Sequence, residues 1–466
     1  MSQTSSTSQH LLAHFLRRDP QIESRIAAGI ETHRKGDGRL RFVDDTGSPV
    51  SNVRVSVRQM RHDFLFGANI FQLGGFATGQ KNQSYEQAFL ELFNTAVVPF
   101  YWSDLEPEQG KLRFDADSPP IHRRPPPDFV LDFCDRHQLV PKGHCLTWHQ
   151  WLPTWLSNSP SETDAVMRER IRLIGARYGH RISIWDVVNE PMEKYLFPKV
   201  KVFADDYAEA SLEETAKAFP EDTSLFVNEA TTFSWREFQD DTTGFHLFLE
   251  NLRLKGCKID GIGLQYHLFF YNENGLTTTV ADLVKNRDLY LDPARLLAVL
   301  DLYGKHGLPV HISEITLPTY PDLADAEQFQ ADLLRELYRL WFSHPSVEAI
   351  YWWNLNDGNA NAEEGKLRGG LLDTHLNKKP SYETLNRLVH EEWTTAFQLN
   401  TDAECSFRGF YGDYEVVTEY AGQRIVHQVG LHRGAGNEFC LSVSPAPEWA
   451  ASHESPNTHT THVSLK

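Results

Sequence analysis

The sequence predicts an α/β fold, a closed (β/α)8 barrel with an N-terminal β-hairpin extension and a small C-terminal β-module. Three observations predict it. Eight short apolar runs alternate with helical patterns between residues 61 and 392. Each run ends in a polar or aromatic cluster. Beyond residue 393 the helical period vanishes and strict alternation takes over. Alternating β and α units require a parallel sheet wrapped by helices, and eight such units close into a barrel.

In chain order, residues 1 to about 20 are rich in Ser and Thr and read as a disordered leader. Residues 21–35 follow as a short helix, closed by Gly36-Asp37-Gly38. Residues 1–35 are thus a flexible leader plus a helix. Leu40–Val43 and Val53–Val57 alternate around the turn cluster Asp44–Pro49, which predicts a hairpin within 36–60, packed on the body of the protein. The eight barrel runs are Phe64–Ala68, Ala96–Phe100, Val140–His144, Ile184–Val188, Ser224–Val227, Ile259–Leu264, Val310–Ser313 and Ala349–Trp353. Parallel strands are buried on both faces, so they read as continuous apolar runs. Helical patterns between them include Ala165–Tyr178, Asp205–Ala218, Pro293–His306 and Glu327–Phe342. In the segment 393–466, Ser406–Val417 and Arg424–Val429 alternate, and Pro445–Lys466 reads as loose chain.

Composition narrows the functional classes. Of 466 residues, 41% are hydrophobic and 23% charged, which fits a folded chain with a sizeable core. The net charge of −18 repels phosphate backbones and anionic membranes, so neither nucleic acid nor a membrane is an expected partner. No apolar run reaches the ~20 residues that span a bilayer. Leu11–Leu16 is too short, and too interrupted by His14, for a signal-peptide core. Five scattered cysteines (134, 145, 257, 405, 440) with no C-x-x-C pair argue against a disulfide scaffold or a zinc site. Cys134 and Cys145 sit in apolar contexts, as packing residues do.

The working face of such a barrel lies at the C-terminal ends of its strands. The fourth run ends in Trp185-Asp-Val-Val-Asn189-Glu190, and the seventh in His311-Ile-Ser-Glu314. A closed barrel brings these two glutamates to one mouth. Paired carboxyls, one protonated and one ionised, are the machinery of glycosidic cleavage. Asn189 is placed to bond a sugar hydroxyl, and Gln265 and His267, at the sixth strand's end, to hold Glu314 ionised. Aromatic residues reach 12%, with 11 Trp. Trp148-His-Gln-Trp151-Leu-Pro-Thr-Trp155 and Tyr351-Trp-Trp353 fall just past strand ends, where indole faces pack on sugar C–H faces.

These residues resemble glycoside hydrolase family 10, whose typical members are retaining endo-β-1,4-xylanases. Gly143-His144-Cys-Leu-Thr-Trp148-His149 resembles the third-strand motif, in which the first His and the Trp line the sugar site. Trp185–Glu190 resembles the acid/base motif, with Glu190 as proton donor. Gly261-Ile-Gly-Leu-Gln265-Tyr-His267 resembles the sixth-strand motif, and Ile312-Ser-Glu314 the nucleophile motif. Trp353–Asp357 and Lys379-Pro-Ser-Tyr382 resemble the eighth strand and closing helix. The resemblance implies double displacement: Glu314 attacks the anomeric carbon, Glu190 protonates the leaving oxygen, and water activated by Glu190 releases the sugar. It implies a polysaccharide or oligosaccharide substrate, no metal or organic cofactor, and action outside the cytoplasm (secreted or periplasmic).

The chain departs from the family pattern on the glycone side. Val97 and Val98 stand for a Glu and an Asn that bind the second sugar, Tyr101 for a Lys, and Trp151 for a Gln. Each lost hydrogen bond costs about 0.5–1.5 kcal/mol, and more where a charge is involved. Thr316 stands for an Asp that supports His267. No second Trp follows Asp357 to roof the cleaved sugar. The expectation is an active xylanase-like glycosidase with a shifted substrate, and Tyr101, Trp151 and Trp353 join the substrate-binding residues. The alternatives are a hydrolase of a hexose-containing or decorated β-glycan or β-glycoside, and a non-catalytic carbohydrate-binding protein.

Overall fold

The computed structural model describes residues 6–193, 202–272, 275–277, 279–358, 360 and 362–444. The loose stretch expected from Pro445 onward lies outside them. The chain divides into two units. One is Leu65–Asn386 with the described part of Met1–Ile26; the other is Ala27–Phe64 with the described part of Arg387–Lys466.

The first unit is the barrel. Its eight strands are Leu65–Asn69, Thr95–Pro99, Val140–Trp148, Ile184–Asn189, Ser224–Glu229, Gly261–His267, Val310–Thr316 and Val347–Trp352. Each pairs in parallel with its sequence neighbour, and the sixth, seventh, eighth and first complete the closed ring. All eight expected runs are strands, and each βα unit supplies helices such as Pro160–Tyr178, Tyr207–Ala218, Pro293–Gly304 and Ala326–Ser343. Helix residues Ile171, Ile174, Leu296, Leu300, Leu334 and Leu337 are fully buried. These are the i, i+3 and i+4 positions of amphipathic helices.

The leader is ordered, contrary to the sequence reading. Ser6 caps the helix Thr7–Leu11, with Gln9 bonding back to its backbone. Leu11, Leu12 and Phe15 are buried. Arg18 forms a forked pair with Glu336, its Nη1 donating at 2.7 Å. Three apolar side chains and one fork outweigh a polar flanking composition.

The second unit corrects the reading of two separate extensions. Lys35–Val43 and Val53–His62 do not pair as a hairpin. Lys35–Val43 lies between Glu404–Phe410 and Glu438–Ser442 in a three-stranded sheet. Val53–His62 lies between Ala396–Thr401 and Gly412–Tyr420 in a four-stranded sheet closed by Gln423–Leu431. Leu40 and Phe42 from one sheet share an apolar cluster with Val53, Val55, Val57, Tyr414 and Val416 from the other. The N- and C-terminal strands therefore build one sandwich. Gly36-Asp-Gly38 is not a turn but strand: a Cβ on Gly38 would stand 2.7 Å from the Phe407 ring. The alternating run Ser406–Val417 divides between Glu404–Phe410 and Gly412–Tyr420, and at Gly412 a φ of +149° and the approach to the Arg61 carbonyl admit no side chain.

Candidate active site

The fourth strand ends in Asn189, and the chain then turns sharply. Glu190 adopts a left-handed φ of 54°. Such backbone costs on the order of 1–2 kcal/mol for a residue with a Cβ. It is held by the Glu190 N–H, which donates to the Asn228 carbonyl at 2.7 Å, and by the Glu193 N–H, which donates to the Glu190 carbonyl at 3.1 Å. The turn aims the carboxyl inward. Trp148 Nε1 donates to Glu190 Oε2 at 2.7 Å, and Gln265 Nε2 donates to Oε1 at 2.8 Å.

Glu314 comes from the seventh strand. Its Oε1 accepts from the same Gln265 Nε2 at 3.1 Å and from Asn228 Nδ2 at 2.9 Å. One amide nitrogen thus touches both carboxyls. The two Oε1 atoms are therefore no more than about 6 Å apart, short of the ~6.5–9.5 Å that admits a water between an inverting pair. Asn228 Nδ2 also donates to Asn189 Oδ1 at 2.7 Å. That bond occupies the Asn189 oxygen and turns its amide N–H groups toward the mouth.

Behind Glu314 stands a buried charged chain. His144 Nε2 lies 3.8 Å from Glu314 Oε1, and His144 Nδ1 lies 2.9 Å from Asp186 Oδ2. Asp186 Oδ1 pairs with Lys142 Nζ at 2.9 Å, both buried. His267 Nε2 lies 3.4 Å from Glu314 Oε2. On its other side His267 Nδ1 meets Thr316 Oγ1 at 2.9 Å, so the substitution keeps a hydrogen bond and removes only the charge. Burial holds the His267 ring near pKa 4 and hence neutral. A hydroxyl that donates to Nδ1 leaves the N–H on Nε2, facing Glu314.

Electrostatics separates the two acids. Burial, the nearby Glu193 and then Glu314 push the Glu190 carboxyl well above the usual range. Burial raises Glu314 to about 7, against the opposing pull of His144, the Asn228 amide and Lys142. One carboxyl has an acidic neighbour and the other has donors and a cation, which is how paired carboxyls acquire different roles.

The remaining expected residues converge on the same mouth. Trp353 packs against His144 and His267, with ring centroids 5.4 and 6.3 Å away. Tyr101 stands between Trp148 and Trp151, at 5.5 and 5.9 Å. Sequence reasoning missed Arg124, whose guanidinium covers the Tyr101 ring at 4.0 Å and Trp151 at 5.1 Å. Asp104 accepts from its Nε at 2.8 Å. It missed Arg123, buried near Glu364, and Glu364 itself, whose charge reaches His267 and Glu314. Arg123 and Arg124 sit on a loop and Glu364 in the short 3-10 helix Ala362–Lys366, where no periodicity marks them. Sequence reasoning gave no role to Asn228-Glu229, which stands where the family's fifth strand usually ends in an Asn-Asp pair, and passed over Asp186 and Glu193; the spacing Glu190-x-x-Glu193 was the available signal. Residues 359 and 361, in the segment that lacks the roofing Trp, lie outside the described residues.

A parallel eight-stranded barrel thus carries two buried carboxyls bridged across its C-terminal mouth. The family model for glycosyl hydrolase family 10 matches residues 66–388, and the chain belongs to that family. Among curated relatives, the anti-sigma-I factor RsgI6 of Acetivibrio thermocellus is 26% identical over 86% of this chain and 47% of its own length. Endo-1,4-beta-xylanase B of Thermotoga neapolitana is 24% identical over 68% of this chain and 88% of its own. The chain spans about half the length of the former. Among solved structures, xylanase 10B of Thermotoga petrophila in complex with xylobiose matches with a TM-score of 0.54 at 21% identity, covering 71% of this chain and 95% of that one.

Proposed function

We propose that this protein is a retaining β-glycosidase that works by double displacement, with Glu314 as nucleophile and Glu190 as acid/base. The observation that carries the reading is the single Gln265 nitrogen bonded to both carboxyls. The resulting separation leaves space for a sugar C1 and none for an intervening water, which favours retention. In the first step Glu314 forms a bond to C1. The C1–O bond breaks, and Glu190 gives its proton to the departing oxygen. In the second, water loses a proton to Glu190, its oxygen bonds C1, and Glu314 leaves. Asn189, oriented by Asn228, bonds the 2-hydroxyl. His144 and His267 steady Glu314, and Trp353 and Trp148 pack on the sugar.

The substrate is a β-linked glycan or glycoside whose glycone side differs from a plain xylose chain. Val97 and Val98 are 1% and 0% exposed, and Tyr101 lies beneath Arg124. A polar subsite for the second sugar is replaced by apolar packing and one cation. A reducing-sugar screen over xylan, arabinoxylan, glucan and mannan, with aryl β-glycosides, tests this. Plain xylan as the best substrate would refute the shift. Because one relative bears a regulatory name, Glu314→Ala is assayed for binding as well as turnover. An enzyme loses turnover by orders of magnitude; a binder loses nothing.

A further inference from the structure

We infer that Glu193 is a positioning residue for Glu190: it holds the acid/base proton while the site is empty and yields it when a glycosidic oxygen arrives. The inference deepens the proposed glycosidase reading and rests on it.

The geometry is set by the turn that follows the fourth strand. The Glu193 N–H to Glu190 carbonyl bond closes an i, i+3 turn, and a carboxyl oxygen of each residue lies within 4.8 Å of the other. Gln150 Nε2 donates to Glu193 Oε2 at 3.0 Å, and His149 Nε2 lies 3.8 Å from the same oxygen. One atom each of His149, Glu190 and Glu193 falls within a 4.8 Å cluster. Glu190 already accepts from Trp148 on Oε2 and from Gln265 on Oε1. Both of its oxygens are thus occupied as acceptors. The proton it must carry needs an acceptor of its own, and Glu193 supplies one. A carboxylate this close to another disfavours its ionisation, so Glu190 keeps its proton until a better acceptor arrives.

Other ionisable groups face this pair. Cys145 and His149 come from the third strand and its loop, Glu229 from the fifth strand, His267 from the sixth and Glu314 from the seventh. Glu229 is engaged, accepting from the Met192 and Ala230 N–H groups at 2.8 and 2.7 Å. Glu314 is bridged through Gln265. Glu193 presents a carboxyl oxygen within 4.8 Å of one from Glu190, with no donor bridging the two among the described residues. In catalysis the Glu190 proton swings from Glu193 to the leaving oxygen. After water returns a proton to Glu190, the pair is restored and Glu193 is unchanged.

The test compares wild type, Glu193→Gln, Glu193→Ala and Glu193→Asp. With an aryl β-glycoside whose phenol leaves only when protonated, the alkaline limb of kcat/KM falls by about one pH unit in the Gln and Ala variants. Asp restores it. With a dinitrophenyl glycoside, which departs without a proton, the variants match wild type. A uniform rate loss at every pH with the limb unmoved would mean a merely structural role and overturn the inference. So would an unmoved limb at full activity. Carboxyl ¹³C NMR of Glu-labelled protein, with the Glu190 signal identified by its loss in Glu190→Gln, reads the same titration without turnover. A Glu190 midpoint that does not drop in Glu193→Gln overturns the inference even if no glycoside is cleaved, whereas absent turnover alone overturns only the glycosidase reading.

Discussion

Gln265→Leu removes the one donor shared by both carboxyls while nearly keeping side-chain volume. Gln265 is buried, and its Nε2 lies 2.8 Å from Glu190 and 3.1 Å from Glu314. A hydrogen bond to an ionised partner contributes about 1.5–3 kcal/mol, and a buried site offers no water to replace it. The bond to Glu314 matters most where that carboxylate is charged. Its loss disfavours the ionised nucleophile by that amount, so at a fixed pH on the acid limb kcat/KM falls by about 10- to 150-fold. The same loss moves the acid limb of the profile to higher pH. The assay is kcat/KM against pH with an aryl β-glycoside, beside a circular dichroism melt that shows the barrel intact. A folded variant within about threefold of wild type, with the limb unmoved, would refute the bridging role.

Three further outcomes follow from the same structure. Activity rises as pH climbs through the Glu314 value of about 7, because the nucleophile must ionise, and falls once Glu190, raised well above the usual carboxyl range, loses its proton; a maximum on the acid side of 5, in the range of an ordinary carboxyl (~4.3), would contradict this. Since the raised Glu314 value makes its ionised form costly to fold, Glu314→Gln has a higher Tm than wild type above about pH 7 and loses that advantage toward pH 4.5, where an ordinary carboxyl titrates; equal melting at both ends would contradict it. Lys142→Met leaves buried Asp186 with the His144 ring as its partner and no ammonium, and destabilises by about 3–5 kcal/mol, read by urea unfolding; a loss under about 1 kcal/mol would mean that the pair is dispensable.

The barrel was legible because its physics is local. Strands buried on both faces print continuous apolar runs such as Ile184–Val188, and the helices between them print an apolar stripe. Glu190 and Glu314 were legible because a charge directly after such a run must lie at the mouth. The sandwich was not. Alternation in Leu40–Val43 and Val53–Val57 states that one face is buried but not against what, and a hairpin and two facing sheets satisfy it equally. Gly36 and Gly38 read as a turn because spacing cannot tell conformational freedom from clearance for the Tyr411 and Phe407 rings. Arg124 was hidden for a different reason: a cation over an aromatic ring is a tertiary contact between loops, with no trace in local sequence.

Trapping with a 2-deoxy-2-fluoro aryl β-glycoside of the sugar selected by the screen tests the central claim most directly. The account predicts one added glycosyl mass on the peptide carrying Glu314, and first-released product of β configuration by ¹H NMR. Product of α configuration, or a label on any other residue, would contradict it.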